Sequence, residues 1–221
     1  MRVEPGLNSF SNAVKEAKEK SISSLFLLNG VYDEEGYDVV IDFALKVFGQ
    51  NKDEVKIIAS LQITGKEEED VFISDCTVTG SHMHGILGDK DGASMHLKNV
   101  CVEKCESHGV SVWGTKRNTM MNCDVNNNEQ SGVHMCFGGC MNIDGSATTI
   151  HHNVTGGHRY HYGLDIHDSS SFIHLVEPLT KELISTNNGG GGNYGVAKYE
   201  RATVESNIVG RATVDNLYSK K

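Results

Sequence analysis

The sequence predicts an all-β chain folded as a right-handed parallel β-helix (solenoid) with an N-terminal capping α-helix. Two observations support this prediction. One short theme recurs about once every 23 residues, which is the length of a solenoid coil, and the composition combines 24 glycines with 2 prolines. Glycine permits frequent turns, whereas proline would remove donors from hydrogen-bonded ladders. The chain therefore turns often while its ladders stay intact.

The recurring theme is a valine that precedes a glycine–aliphatic pair by seven residues. It occurs without gaps at Val78–Ile86, Val102–Val110 and Val125–Val133. We expect two looser copies, one from Val154 to Gly163-Leu164 with two residues inserted, and one at Tyr194-Gly195-Val196. A single coil cannot bury its own apolar face, so repetition of the theme indicates stacked coils.

Stacking places equivalent residues in ladders about 4.8 Å apart, so like residues should form columns. The expected inward columns are Ile73 with Leu97 and Met120, Cys76 with Val100 and Cys123, and Val112 with Met135 and Ile166. We expect the glycine of the theme to occupy a corner that needs a positive φ. Asn126, Asn127 and Asn128 are expected at another corner, where side-chain amides can form a ladder.

An amphipathic helix is predicted near the start of the chain. Phe10, Val14 and Ala17 follow a helical period, and Asn8 or Ser9 is the expected N-cap. Residues 1–24 are predicted to be the capping helix segment and residues 25–221 the parallel β-helix, in one domain overall. The helix is placed to cover the first coil, because the end of a solenoid needs a polar-faced cap.

Charge and composition limit the partners that we expect. The formal net charge of -9 disfavours nucleic acid, since phosphates repel an acidic chain. The sequence contains no run of 18 apolar residues, so no membrane span is predicted. No leader is apparent either, and we therefore expect an intracellular soluble protein whose six cysteines are reduced. Residues 202–221 show strand-like alternation, then a lysine-rich tail. The expected partners are a protein or a second copy at this C-terminal coil, or an extended polysaccharide.

This pattern, with its leading helix, resembles the pectate-lyase-like right-handed β-helix superfamily over roughly residues 7 to 210. The phrases Leu28–Tyr32, Ile73–Val78, His151–Val154 and Thr186–Asn188 are similar to phrases that begin or mark coils in that superfamily. The superfamily includes lyases, hydrolases, epimerases and non-catalytic members. The resemblance therefore implies the fold and leaves the function open.

One segment, Tyr162-Gly-Leu-Asp-Ile-His-Asp168, resembles the catalytic motif of mannuronan C5-epimerases, Tyr-Gly-Phe/Ile-Asp-Pro-His-Asp/Glu. The resemblance implies that Tyr162 and His167 act as acid and base at the sugar C5 atom. Asp165 would orient them or help to neutralise the substrate carboxylate. Ile166 stands where the family has proline. The alternative interpretation is the outward polar face of an ordinary coil.

The remaining candidate site residues lie beside this motif. Asp168 completes it as a candidate catalytic residue, and Arg159 and His161 are candidate substrate-binding residues. Histidine is abundant, with 11 in the chain, and five histidines crowd one coil at 151, 152, 158, 161 and 167. They could bind zinc with nearby aspartates, or they could be exposed corner residues, with His84 and His108 in one column. We expect no metal and no cofactor.

Two functional classes follow from this sequence. The first is a non-catalytic β-helix scaffold or recognition protein that presents a rigid ladder surface to a protein or glycan. The second is a polyuronate-acting enzyme, of the C5-epimerase or lyase type, that uses the strand from Tyr162 to Asp168. An outward cleft with a nearby cation would favour the enzyme, because the substrate of such an enzyme is an anion.

Overall fold

The computed structural model describes residues 1–90, 92–196 and 207–211. Short parallel strands wind into stacked coils, as the sequence predicts. In the described residues the strands form two sheets. Strands are numbered in chain order. The first, sheet A, contains β1 (Arg2–Val3), β3 (Ser24–Leu27), β5 (Leu45–Gly49), β7 (Val71–Ser74), β10 (Met95–Lys98), β13 (Asn118–Met121), β16 (Cys140–Asp144), β19 (Phe172–Val176) and β22 (Ile208–Arg211).

The second sheet divides into two arms at the long strand β6 (Val55–Ile63), which pairs with both of them and with β4 (Gly30–Ile41); β4 also pairs with β2 (Gly6–Leu7). The B arm contains β8 (Thr77–Thr79), β11 (Cys101–Glu103), β14 (Asp124–Asn126), β17 (Thr149–His151) and β20 (Ser185–Thr186). The C arm contains β9 (Ile86–Gly88), β12 (Val110–Trp113), β15 (Val133–Cys136), β18 (Leu164–Ile166) and β21 (Tyr194–Val196). From β7 onward, a typical coil runs from sheet A to the B arm and then to the C arm.

The register confirms the predicted inward columns. Leu97 pairs with Ile73 on one side and Met120 on the other, and Val112, Met135 and Ile166 are consecutive partners in the C arm. The members of these columns are buried, as are Cys76, Val100 and Cys123. Burial of one apolar residue per coil in each column is the main stabilising contribution, since hydrophobic burial scales with apolar area.

The prediction of positive φ for the theme glycines is wrong. Gly85, Gly109, Gly132 and Gly163 have ordinary backbone conformations. They are glycines because the next coil approaches too closely for a side chain: a Cβ at Gly109 would lie 2.6 Å from Val125 Cγ1 and from Asn128 Nδ2. The left-handed conformation occurs instead at the short turn between sheet A and the B arm, at Asp75, Asn99 and Asn122.

Two predicted repeat copies depart from the register: Gly163-Leu164 stays aligned with Gly132-Val133, but Val154 and the Tyr194-Gly195-Val196 copy do not keep the predicted alignment. Val125 pairs with Ile150 rather than with an equivalent of Val154. Val154 is buried in the turn beyond β17, with φ 60°. In the next coil, Asp165 pairs with Gly195 and Leu164 with Tyr194, so the Tyr194-Gly195-Val196 copy is shifted by two residues. Insertions after β17 and β19 displaced the pattern that the earlier coils follow.

Asparagine side chains form the ladder predicted for one of the corners. Asn128 Nδ2 donates to Asn153 Oδ1 at 2.8 Å, and Asn153 Nδ2 donates to Asn188 Oδ1 at 3.0 Å. Asn153 Nδ2 also donates to the Val125 carbonyl oxygen at 2.8 Å. Each amide therefore satisfies buried backbone groups of the turn, which would otherwise lose their hydrogen bonds on burial. Asn127 beside them has φ 53°.

The predicted N-terminal helix is present as α1 (Ser9–Glu19), within the segment 1–24, and it packs Phe10 and Val14 against the first coil. Its cap differs from the prediction. Asn8 is at the N-cap position but makes no side-chain capping hydrogen bond. Instead, Glu34 Oε1 accepts from the backbone N–H groups of Phe10 at 2.9 Å and Ser11 at 3.2 Å, so a carboxylate from β4 caps the helix.

A second, short helix, α2 (Lys181–Ile184), precedes β20. Neither helix in the described residues is long and apolar enough to span a membrane. All six cysteines are free thiols, and four of them are buried. In the C-terminal segment 202–221, residues 208–211 form β22. The strand-like alternation predicted at residues 202–206 and the lysine-rich tail beyond residue 211 lie outside the described residues.

Candidate functional site

A cluster of imidazole rings covers the outer face of the C arm. We call it the histidine wall; its members are His84, His108, His134, His161 and His167. Side chains alternate along each strand, so the residues beside the inward Val110 and Val112 point outward. The outward column in the centre of the C arm contains Ser111, His134 and Asp165 as consecutive partners. His134 therefore enters the wall through the register of the coils, whereas the other four histidines lie just outside the ends of the C-arm strands.

Three of the rings stack from coil to coil. The centroids of His84 and His108 are 5.3 Å apart with an interplanar angle of 10°, and those of His108 and His134 are 4.2 Å apart with an angle of 2°. His161 meets His108 edge-on at 5.1 Å, and His167 meets His134 edge-on at 5.8 Å. His84 and His108 do share a column, but both are buried rather than exposed.

Aromatic side chains extend the wall on one side. Trp113 lies edge-on to His84 at 5.9 Å, and Phe137, which is 62% exposed, lies edge-on to Trp113 at 6.1 Å. Trp113 Nε1 donates to Ser111 Oγ at 2.9 Å, and Ser111 Oγ lies 3.1 Å from His134 Nδ1. These hydrogen bonds hold the indole against the wall and leave part of its ring accessible.

Burial keeps the centre of the wall uncharged. It lowers the pKa of His134 to about 4 and lowers the pKa of His84. It also lowers the pKa of His108 well below its ordinary value, and the neighbouring histidines lower it further. The backbone N–H of Ser131 donates to His108 Nδ1 at 3.0 Å, so that nitrogen carries no proton. The stacked rings are therefore neutral imidazoles near neutral pH.

The structure brings four predicted site residues to the C-terminal end of the wall. Asp165 is buried; its Oδ2 accepts from Ser131 Oγ at 2.5 Å and lies 3.6 Å from His161 Nδ1. Tyr162 is half-buried, and burial, together with the charge of Asp165, raises its pKa. His167 is exposed beside His134.

Glycines leave room for the Tyr162 ring at this end. A Cβ at Gly195 would lie 2.2 Å from Tyr162 Cε1, and one at Gly191 would lie 2.4 Å from the same atom. Gly195 is the register partner of Asp165. The phenol therefore lies across the coil that follows Asp165, on the outer surface.

Two predicted site residues lie apart from this group. Asp168 accepts hydrogen bonds from the Ser170 hydroxyl and from Ser171 Oγ, at 2.5 Å and 3.0 Å. Burial alone would raise its pKa, but the hydrogen bonds from Ser170 and Ser171 outweigh burial and lower it. Arg159 is exposed, and its guanidinium lies 4.6 Å from the ring centroid of Tyr160. Among the described ion pairs, none joins a lysine or arginine to Asp165.

The crowd of five histidines expected in one coil is split between two faces. His151 Nε2 lies 3.0 Å from Asp124 Oδ1 on the B arm, and His151 Nδ1 lies 2.7 Å from His152 Nδ1. His158 remains near the wall, with its ring 4.6 Å from that of His161. In the part of the chain that the structure describes, no three His, Cys, Asp or Glu side chains are grouped so as to hold a metal ion.

Sequence reasoning missed Ser111, Trp113, Ser131 and His134 as site residues. The sequence does contain a signal for His134. His134 lies two residues after the theme glycine Gly132, and Asp165 likewise lies two residues after Gly163. Equal offsets from the glycine of the theme place both side chains in one outward column.

Of the comparisons with known proteins, a family model agrees with this architecture. A search of curated proteins finds no match. A solved structure, the Azotobacter vinelandii Mannuronan C-5 epimerase AlgE6 A-module, is similar at 12% identity over 93% of this chain and 94% of that chain, with a TM-score of 0.34. That score is too low to carry meaning for function. The family model described as "Right handed beta helix region" matches residues 28–177, more than half of the chain. The chain therefore belongs to the right-handed beta helix family.

Proposed function

We propose that the protein is a recognition module that binds an extended glycan along the histidine wall. The observation that supports this proposal is the stack of His84, His108 and His134 across three consecutive coils, extended by Trp113 and Phe137. Planar rings pack well against the apolar C–H faces of sugar rings, because both surfaces are stiff and lose little entropy on contact. The exposed ring of Phe137 and the partly exposed ring of Trp113 supply such faces, and the buried histidine stack packs against Trp113.

The charge of the wall selects the kind of glycan. The chain has a formal net charge of -9, and the stacked imidazoles are neutral near neutral pH, since burial lowers the pKa of His134 to about 4. A polyanion would therefore be repelled at long range and would find no fixed cation at the centre of the wall. We expect an uncharged polysaccharide to bind, with little dependence on salt.

Binding to an array of neutral and anionic glycans tests this proposal. The wild-type protein should retain neutral oligosaccharides, and longer chains should bind more tightly than short ones. Replacing the exposed Phe137 with serine should weaken binding several-fold, because a stacked aromatic ring contributes about 1 kcal/mol beyond its buried area. Phe26→Ser, which removes a 42% exposed phenylalanine on sheet A, is the matched control and should change nothing.

The proposal fails if no glycan is retained, or if only anionic glycans bind and added salt abolishes that binding. It also fails if Phe137→Ser and Phe26→Ser have the same effect.

A second candidate is a polyuronate-acting enzyme, and one observation favours it. Tyr162, Asp165 and His167 belong to the same outer surface, and the Tyr162 ring lies beside glycines that leave space. Tyr162 retains its proton, since burial and Asp165 raise its pKa. In such a reaction His167 would take the C5 proton, and Tyr162 would return a proton either to the opposite face, giving the epimer, or to the leaving oxygen, giving an unsaturated product.

Incubation with alginate and with pectate tests this second candidate. Ultraviolet absorbance reports an unsaturated product, and NMR reports a C5 epimer. Tyr162→Phe and His167→Gln should each abolish product, whereas His152→Gln on the B arm should retain wild-type activity. Wild-type protein that changes neither polymer would exclude both activities and leave the glycan-binding proposal intact.

A further inference from the structure

A groove of about 390 Å³ lies on the outer face of sheet A, on a different face from the histidine wall. One of its sides is a ladder column in which Phe48, Ser74 and Lys98 are consecutive partners from three coils. Ladder partners are about 4.8 Å apart, so Phe48 and Lys98 are separated by about twice that distance. The small Ser74 between them forms the floor of a slot that is wide enough for one planar ring.

The neighbouring outward column gives the slot an aromatic side. Phe72 stacks on His96 with a centroid distance of 4.5 Å and an angle of 21°. His96 is buried, and its Nδ1 lies 2.9 Å from Thr119 Oγ1. A Phe–His stack anchored in this way is rigid.

Two lysines flank the groove. Lys98 is exposed, and Lys46 Nζ lies 5.5 Å from the Phe72 ring centroid. Neither lysine forms an ion pair with a residue that the structure describes. The carboxylate that lines the groove, Asp75, accepts a hydrogen bond from Asn99 Nδ2 at 2.7 Å. Two lysines against one lining carboxylate leave a local excess of positive charge beside apolar rings, in a chain whose formal net charge is -9.

We propose that this groove is a binding site for a small planar aromatic anion, such as an aryl carboxylate or sulfonate. The ring enters the slot above Ser74 and stacks against Phe48, while the anionic group meets Lys98. The volume is within the range of small-molecule sites, which combine an apolar lining with a few polar groups. The Phe48 side chain is 39% exposed, and binding would remove this apolar surface from water. This site is independent of the glycan-binding proposal.

Titration with anilinonaphthalene sulfonate, an aromatic anion that fluoresces when it leaves water, tests the proposal. We expect saturable binding of one equivalent, confirmed by calorimetry. Ser74→Leu should abolish binding by filling the slot, and Phe48→Ser should weaken it about tenfold by removing the stacking surface. Lys98→Gln should weaken it about threefold, because an exposed ion pair is worth little more.

The controls separate the groove from other apolar surface and from unfolding. Leu7→Ser removes a 63% exposed leucine elsewhere and should leave binding unchanged. Near-ultraviolet circular dichroism shows that each variant retains its tertiary structure. Neutral N-phenylnaphthylamine should bind more weakly than the sulfonate and be insensitive to Lys98→Gln. Undiminished binding by folded Ser74→Leu would overturn the site, and equal affinity for the neutral probe would overturn its preference for anions.

Discussion

Replacing Gly109 with alanine tests whether close packing between coils requires the glycine column. The added Cβ would lie 2.6 Å from Val125 Cγ1, 2.6 Å from Asn128 Nδ2 and 2.9 Å from the Gly132 carbonyl oxygen. All three distances are below ordinary contact, and two of the three atoms belong to a buried hydrogen-bonded ladder or to backbone. Overpacking of this kind typically costs about 1–3 kcal/mol.

Urea and thermal unfolding followed by circular dichroism measure this cost. For a chain of this size a loss of about 2 kcal/mol lowers the melting temperature by about 4–8 °C. Gly210→Ala in β22 is the matched control, since no described atom lies within 4 Å of its added Cβ and its φ is also ordinary. It should not be destabilised.

Gly109→Asn distinguishes the packing explanation from a backbone explanation. Asparagine tolerates the left-handed conformation, so it would be better accepted than alanine if Gly109 needed a positive φ. If packing is the cause, the larger side chain costs more than alanine does. An asparagine variant as stable as the wild type, or an alanine variant within about 0.5 kcal/mol of it, would refute the reasoning.

Three further predictions concern the cap, the ladder and the wall. Glu34→Ala should lower the free energy of unfolding by about 1–2 kcal/mol, because the Phe10 and Ser11 N–H groups lose their acceptor; a urea midpoint equal to the wild type would contradict this. Asn153→Ala should cost at least about 2 kcal/mol by leaving buried polar groups unsatisfied, whereas Asn12→Ala on α1 should cost little. The free energy of unfolding should fall by about 2 kcal/mol from His134 alone when the pH is lowered from about 6.5 to 5. In this range the His134 imidazole takes up a proton in the unfolded state, but in the folded state, where its pKa is about 4, it does not. His134→Gln should remove that share of the pH dependence in urea titrations, and an unchanged slope would refute the assignment.

The early coils could be predicted from the sequence because their repeats are ungapped. Val78, Val102 and Val125 stand in register, as their equal distance from a glycine requires. The prediction lost register where insertions enlarge the coils, because a single sequence does not show where the extra residues leave the ladder. Ile150 and Val154 are both apolar β-branched residues, and only the pairing with Val125 distinguishes them.

The candidate site was predicted in part. Tyr162, Asp165 and His167 were identified through one short motif, and they lie on one outer surface, although the strand predicted from Tyr162 to Asp168 is limited to Leu164–Ile166 and contains only Asp165 of the three. Ser111 and His134 belong to other coils and enter the site only through register. Polar residues that become buried by stacking on one another, rather than by entering the core, give no hydrophobic signal in the sequence. Glu34 also gives no signal in the sequence, because it caps α1 from a position 24 residues after Phe10.

The pairing of each strand with the coil before it has a consequence for synthesis on the ribosome. Val102 pairs with Val78 and Val125 with Val102, so a strand needs only a partner made one coil earlier. The helix α1 and the long strands β4 and β6 emerge before the later coils, and α1 can cover its end of the stack before the later coils exist. Each later coil then adds to a finished edge, as in a one-dimensional array. The nascent chain can thus fold in the order of translation, from the N-terminal end, with one open edge at a time.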